Sequence, residues 1–133
     1  MGKLLSLKSM REAVLVAFQN VGIDTTEQLL ERGANRGDRK KLAEETGLSE
    51  REIQSWVHRA DLLRIKGMGE EYSHLLQAAG IDTMKELSGL LPSSLFSKLV
   101  MLNREENYVR RMPSETMVAN WVSLAKELSG KVS

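Results

Sequence analysis

Residues 65–81 have the sequence IKGMGEEYSHLLQAAGI, and this stretch decides how the chain is expected to fold. Gly67 and Gly69 lie on either side of Met68, which predicts a tight hairpin because glycine adopts backbone torsions that other residues resist. A helix is expected to follow, with Gly80 as its left-handed C-terminal residue. The stretch therefore predicts a hairpin leading into a short helix.

Three side chains in this stretch are expected to hold the hairpin in place. Ile65 and Met68 are apolar and would anchor the hairpin in a core. Ser73 is small, which would allow the helix to approach the hairpin closely.

A similar pattern occurs earlier in the chain. Residues 7–12 (LKSMRE) align with residues 65–70 (IKGMGE), and the same ungapped alignment pairs residues 18–25 (FQNVGIDT) with residues 76–83 (LQAAGIDT). The shared Gly-Ile-Asp-Thr alone would be weak evidence, but the match extends on both sides of it. The pattern indicates an internal repeat.

Two tryptophans extend the match. After a change in length, Trp56 aligns with Trp121, and each lies on an amphipathic closing helix. Core packing is the favoured interpretation of both rings, and base stacking is the alternative. We expect residues 1–133 to form a single all-α domain of about eight to ten short helices with a SAM-like helical fold. Residues 7–64 would form a repeat with a degenerate hairpin, and residues 65–129 a repeat with an intact one.

Helix boundaries are signalled repeatedly, and alternating β-strand patterns are absent. Capping boxes are predicted to begin at four hydroxyl residues, Ser9, Thr25, Ser49 and Thr83. Two further N-caps are expected at Asp38 and Ser114. Helix ends in the left-handed conformation are expected at Gly22, Gly47 and Gly80.

Charge and composition limit the function classes. The net charge is only +1, from 19 basic and 18 acidic residues. Proteins that bind nucleic acid usually carry a basic surplus, because neutralised phosphates supply much of the affinity. Any nucleic-acid binding by this chain is therefore expected to be local and weak.

Neither catalysis nor metal binding is indicated. The chain has no cysteine, which excludes disulfides and thiol nucleophiles and fits a reducing compartment. It has no nucleophile elbow and no phosphate-binding Gly-Lys-Thr loop. His58 and His74 lack a second metal ligand at helical spacing. We expect a non-enzymatic protein without cofactor or metal, located in the cytoplasm, because no apolar run reaches the length of a secretory or membrane-spanning segment.

Residues 59–72 (RADLLRIKGMGEEY) resemble a bacterial family of helix-hairpin-helix domains of unknown function, and the stretch from Val109 to Trp121 is similar to the same family. The resemblance extends from about Gly22 to Leu128. It implies a helical fold related to the helix-hairpin-helix modules of DNA polymerases and repair proteins. The family itself implies no established activity.

The resemblance also implies a site. In DNA-binding relatives the hairpin offers backbone amides to a phosphate at the start of the second helix, which would make binding independent of base sequence. The positions of this chain that match that hairpin are Lys66, Gly67, Met68, Gly69, Glu70 and Glu71. The two glutamates depart from the pattern, because their carboxylates would repel a phosphate. In the first copy, Ser9 and Arg11 replace the glycines and Leu15 the small residue, which predicts a structural role for that hairpin.

Two other basic groups are candidate nucleic-acid contacts. Arg36, Arg39 and Lys40, together with Lys41 and the nearby Arg32, could contact phosphates, or could be a solvated face paired with Glu44 and Glu45. The second group has an aromatic residue among its charges and consists of Lys98, Arg104, Tyr108, Arg110 and Arg111. Glu105 and Glu106 lie in the same run.

The sequence leaves two functions open. One is weak, sequence-independent binding of DNA or RNA through the amides of the hairpin. The other is a protein-interaction or structural module with no nucleic-acid role, which the near-neutral charge favours.

Overall fold

The computed structural model describes residues 2–128 and 130–133, and these form eight α-helices and one 3-10 helix. The 3-10 helix is Leu4–Ser6, and the α-helices are α1 (Glu12–Asn20), α2 (Thr26–Gly33), α3 (Arg36–Thr46), α4 (Glu50–Leu62), α5 (Glu70–Ala78), α6 (Met84–Ser88), α7 (Pro92–Glu106) and α8 (Glu115–Leu128). The predicted all-α class and helix number are confirmed. No helix in the described part of the chain is long and apolar enough to span a membrane.

The chain divides into two compact units. The first runs to Asp61 and includes Lys131–Ser133, and the second is Leu62–Gly130. The division falls close to the predicted boundary between the two sequence copies, which lies between Arg64 and Ile65. The expectation of one domain over the whole chain stays a prediction.

The aligned segments of the two copies have matching local structure. Helices α1 and α5 begin at Glu12 and Glu70, which are aligned residues. Each helix is followed by a glycine in the left-handed conformation, Gly22 with φ +83° and Gly80 with φ +86°. Gly47 after α3 has φ +77°. All three predicted helix-ending glycines are therefore confirmed.

The two capping boxes of the Gly-Ile-Asp-Thr turns are also confirmed. The Thr25 hydroxyl accepts from the amide of Gln28 at 3.1 Å, and the Gln28 side chain accepts in return from the Thr25 amide at 3.1 Å. In the second copy, Thr83 accepts from the Glu86 amide at 3.0 Å, and Glu86 accepts from the Thr83 amide at 3.0 Å. Each box satisfies amides that a helix start would otherwise leave unpaired.

Two predicted caps are wrong. Ser9 does not begin α1, because the helix starts after Arg11, whose side chain makes no capping bond. Asp38 does not cap α3, because Asn35 takes that position and its side chain accepts from the Asp38 amide at 2.8 Å. Asn35 is an equally good N-cap that comes earlier in the chain, so the helix begins there.

The serine caps of the two closing helices are present. Ser49 accepts from the amide of Glu52 at 3.1 Å, and Ser114 accepts from the amide of Met117 at 3.1 Å. The Ser49 amide does not donate in return to the Glu52 side chain, whose carboxylate instead pairs with Arg11 at 2.7 Å.

The two aligned tryptophans have different environments. Trp121 is 1% exposed and belongs to the core of the second unit, as expected. Trp56 is only half-buried, so the prediction of core packing does not hold fully for it. The guanidinium of Arg59 lies 4.9 Å from the centroid of the Trp56 ring, at cation–π distance.

Candidate functional site

The hairpin of the second copy has the geometry that its glycine pattern predicts at Gly67. Gly67 has φ +87°, which is in the left-handed region that favours glycine. The turn is closed by the amide of Met68, which donates to the carbonyl of Ile65 at 3.0 Å. Ile65 and Met68 are both buried, so their predicted role as anchors is confirmed.

Gly69 does not need the torsional freedom of glycine. Its φ of −88° and ψ of 175° are extended backbone that any residue adopts, so the expectation of special torsions at this position is wrong. A Cβ at Gly69 would meet no atom within 4 Å. Gly69 is instead the N-cap of α5, and no side chain caps this helix.

The start of α5 is therefore open to an external acceptor. The first amides of an α-helix have no partner within the helix, and the helix dipole adds partial positive charge at this end. Gly69 is exposed, and its amide donates to no residue in the described part of the chain. These are the features that allow a helix start to bind an anion.

Charges of both signs surround this helix start. Lys66 is exposed and forms no ion pair with residues 2–128 or 130–133. Glu70 is half-buried and Glu71 is exposed, and both lie in the first turn of α5. Because the glutamates add negative charge where a phosphate would bind, the arrangement favours weak binding over tight binding.

The small residue that is predicted to face the hairpin is Ser73. The residue is buried, and its hydroxyl donates to the carbonyl of Glu70 at 2.8 Å. The serine hydroxyl is therefore satisfied within the first turn of α5.

An aromatic side chain lies beneath the hairpin. If Gly67 carried a Cβ, the nearest atom beyond its two neighbours in the chain would be Nε1 of Trp121, at 3.9 Å. The Trp121 ring also packs against Tyr72, with ring centroids 5.2 Å apart, and the Tyr72 hydroxyl donates to the carbonyl of Arg111 at 3.0 Å. This contact could not be predicted, because no local sequence pattern pairs Trp121 with a residue so far away along the chain.

In the first copy, the two residues that align with the hairpin glycines bond to side chains of their own unit. Arg59 donates from Nη1 to the Ser9 hydroxyl at 2.6 Å. Arg11, at the position of Gly69, pairs with Glu52 at 2.7 Å. Ser9 and Arg11 are thus both engaged within the unit.

Arg39 differs from the other basic residues of α3. It is 5% exposed, and its guanidinium donates to the carbonyls of Gly33 and Ala34 at 2.9 and 3.0 Å and to the main-chain oxygen of Ser133. Burial lowers the pKa of Arg39, and the nearby charge of Arg36 lowers it further. Because its guanidinium already donates to main-chain oxygens of the first unit, Arg39 is not available to contact a phosphate.

The remaining basic residues of α3 face solvent. Arg36, Lys40 and Lys41 are exposed and pair with no carboxylate of the described residues. Of the ion pairs expected with the following glutamates, the structure contains one, between Arg32 and Glu45 at 3.7 Å. Arg36 and Lys40 therefore remain candidate phosphate contacts on the first unit.

The second basic group is exposed except at its aromatic member. Its charged side chains on the surface are Lys98, Arg104, Arg110 and Arg111. Tyr108 is half-buried, and its ring packs nearly perpendicular to the His74 ring, with ring centroids 5.7 Å apart. His74 itself is exposed and His58 is half-buried. The residues that the structure describes contain no cluster of three or more metal-ligating side chains.

The fold and the site together define a small all-helical protein with an uncapped helix start behind a glycine hairpin. A family model described as a domain of unknown function, DUF4332, matches residues 8–128. The chain belongs to this family. No curated protein and no solved structure matches it.

Proposed function

We propose that this chain is a non-enzymatic helix-hairpin-helix domain of the bacterial cytoplasm that binds DNA or RNA weakly and without sequence preference. The ligand would be a backbone phosphate, held by the amides at the start of α5. Such contacts determine position but carry no base information.

One observation supports this proposal above the others. The glycine hairpin places the exposed N-cap Gly69 before α5, and no side chain caps the helix. A helix start of this kind has donors and a favourable dipole for an anion. Lys66 adds a positive charge on the hairpin itself, and Arg36 and Lys40 supply exposed charges on the first unit.

The charge balance supports weak affinity. The net charge is +1, and Glu70 and Glu71 follow the hairpin directly. The affinity is therefore expected to depend on a small number of phosphate contacts and to fall as salt rises.

The test is fluorescence anisotropy with labelled single- and double-stranded DNA and RNA at low and at physiological salt. We expect micromolar binding that weakens steeply with salt and that Lys66→Glu abolishes. Lys85→Glu is the matched control, because Lys85 is an exposed lysine on α6 and the substitution changes the net charge equally. Equal losses for both variants would mean that net charge, and not the hairpin, determines binding. No binding at low salt would disprove the proposal.

The alternative is a protein-interaction or structural module without a nucleic-acid role. The observation that favours it is the exposure of two large apolar side chains of the second unit, Leu91 at 71% and Met101 at 62%. Binding to a protein through apolar contacts would not weaken steeply with salt, which separates the two functions in the same titration.

A further inference from the structure

The loop between α7 and α8, residues 107–114, carries two arginines on an anchored main chain. Arg110 and Arg111 are exposed and pair with no carboxylate of the described residues. The Val109 side chain is buried, and the Val109 amide donates to Oδ1 of Asn103 at 2.9 Å. The loop therefore holds both arginines at fixed places on the surface of the second unit while their guanidinium groups remain available.

Two aromatic side chains join this loop to α5. The Tyr72 hydroxyl donates to the carbonyl of Arg111 at 3.0 Å, and the Tyr108 ring packs on His74 with centroids 5.7 Å apart and an interplanar angle of 82°. Tyr108 packs against the core of the second unit, whereas His74 is exposed. An exposed ring held beside two cations suits a single-stranded nucleic acid, whose bases stack on aromatic rings while its phosphates bind cations.

The first copy shows that the fold does not require this surface. Its third and fourth helices, α3 and α4, are joined by residues 47–49 alone, which include no basic and no aromatic residue. The residue that aligns with His74 is Val16, which is not aromatic. Because a short link can join these two helices, the longer loop 107–114 and its arginines are free to serve binding.

Acidic residues nearby limit what the arginines can contribute alone. Glu105 and Glu106 are exposed in the last turn of α7, and Glu71 is exposed one helical turn before His74. These carboxylates offset the positive charge of the loop. Phosphate contacts at this surface are therefore weak, and stacking of a base has to supply part of the affinity.

We propose that His74, Tyr108, Arg110 and Arg111, here called the stacking surface, bind a single-stranded nucleic acid. One base stacks on the His74 ring, which Tyr108 holds in place, and the arginines bind the flanking phosphates. The inference rests on the proposed function in taking nucleic acid as the ligand. It selects single strands over duplexes, because a base paired within a duplex offers no free face. It makes no use of the amides at the start of α5.

The test is fluorescence anisotropy at low salt with a labelled, unstructured single-stranded DNA and a duplex of the same length. His74→Ala removes the ring, and we expect about tenfold weaker single-strand binding, as for the loss of one stacked base, with duplex binding unchanged. His74→Phe keeps a ring and should restore single-strand binding. Val16→Ala is the matched control, because Val16 is the exposed, aligned residue of the first copy, and it should leave binding unchanged.

The arginines are tested by a charge-matched pair of double variants. Arg110→Gln with Arg111→Gln removes the cations of the stacking surface, and Lys85→Gln with Lys126→Gln removes two exposed lysines elsewhere on the second unit. We expect the arginine variant to bind a single strand more weakly and with a shallower salt dependence than the lysine variant. Equal losses would mean that net charge alone acts, which would overturn the role of the arginines.

The NMR signals of the histidine rings report on stacking in the unchanged chain. The chain has 2 histidines, so the half-buried His58 is an internal reference in the same spectrum. We expect the single strand to move the His74 ring protons upfield, because a stacked base shields them, and the shift to saturate at the Kd from anisotropy. The His58 signals should stay in place. Saturated binding without a shift at His74 would overturn the inference, whatever the stability of the variants.

The failures of the two proposals are distinguishable. Circular dichroism establishes that each variant is folded. Equal losses for single strand and duplex in His74→Ala, or equal losses for His74→Ala and His74→Phe, would overturn stacking on this ring. If Lys66→Glu weakens binding and a folded His74→Ala chain does not, the stacking surface is wrong and the hairpin site stands. The reverse result supports the stacking surface and removes the hairpin site. If no nucleic acid binds at low salt, both proposals fail.

Discussion

Arg39 and Ser133 are joined by a hydrogen bond from the buried guanidinium to the main-chain oxygen. The amide of Ser133 also donates to the carbonyl of Ala34 at 2.8 Å, and the amide of Lys131 donates to the buried carboxylate of Asp61 at 3.1 Å. Two buried charged side chains thus hold the main chain of residues 131–133 against the first unit. Their polar atoms would lose these partners if the segment detached.

We predict that Arg39→Met lowers the free energy of unfolding by about 1–3 kcal/mol, because it removes the donor of the buried Gly33 carbonyl and two further hydrogen bonds to main-chain oxygens. Arg36→Met is the control, since Arg36 is exposed on the same helix and should change stability by less than about 0.5 kcal/mol. Urea denaturation of both variants checks the prediction. Equal effects would show that the guanidinium bonds of Arg39 do not contribute to stability.

The hairpin glycines should differ in their tolerance of a side chain. Gly67→Ala places a Cβ on a residue with φ +87°, and we expect it to cost about 1–2 kcal/mol of stability. Gly69→Ala should be nearly neutral, because the backbone is extended and the Cβ meets no atom within 4 Å. Chemical denaturation measures both. A cost at Gly69 equal to that at Gly67 would contradict this account of the hairpin.

Gly69 also allows the role of a single amide to be tested. Gly69→Pro removes the N–H at the start of α5, whereas Gly69→Ala keeps it. We expect the proline variant to lose DNA binding and the alanine variant to keep it, as measured by anisotropy at low salt. Circular dichroism establishes that both are folded. Retained binding by a folded proline variant would exclude the Gly69 amide as a contact.

The acidic residues at the hairpin should limit affinity. Glu71→Lys replaces a repulsive charge by an attractive one at the start of α5, and we expect tighter binding with a salt slope steeper by about one phosphate contact. Glu127→Lys makes the same change in net charge at an exposed position of α8. If the two variants gain affinity equally, or if neither gains, the hairpin is not the contact surface.

Local sequence rules succeeded where the interacting groups are close along the chain. The boxes at Thr25 and Thr83 could be predicted because each hydroxyl and its partner are separated by one helical turn. The prediction at Asp38 failed although it used the same rule, because Asn35 offered an equivalent cap one turn earlier. Sequence spacing identifies possible caps, but it does not choose between two that compete.

Contacts between distant residues could not be predicted. Arg39 lies within a run of exposed basic residues, yet it is buried and bonds to Ser133, which is far away in the chain. The contact between Trp121 and Gly67 also joins residues that are far apart in the chain. Their alignment partners in the first copy could have suggested a tryptophan near the hairpin, but only the structure shows which ring atom faces it.

The Gly-Ile-Asp-Thr turns have a consequence for how the chain acquires its structure. The bonds of each turn, from Ile23 back to Phe18 and from Ile81 back to Leu76, join residues that are close in sequence. Closing such short loops costs little entropy, and proteins rich in local contacts fold quickly. Each turn can therefore form independently of the other, and folding can begin at either of two places in the chain.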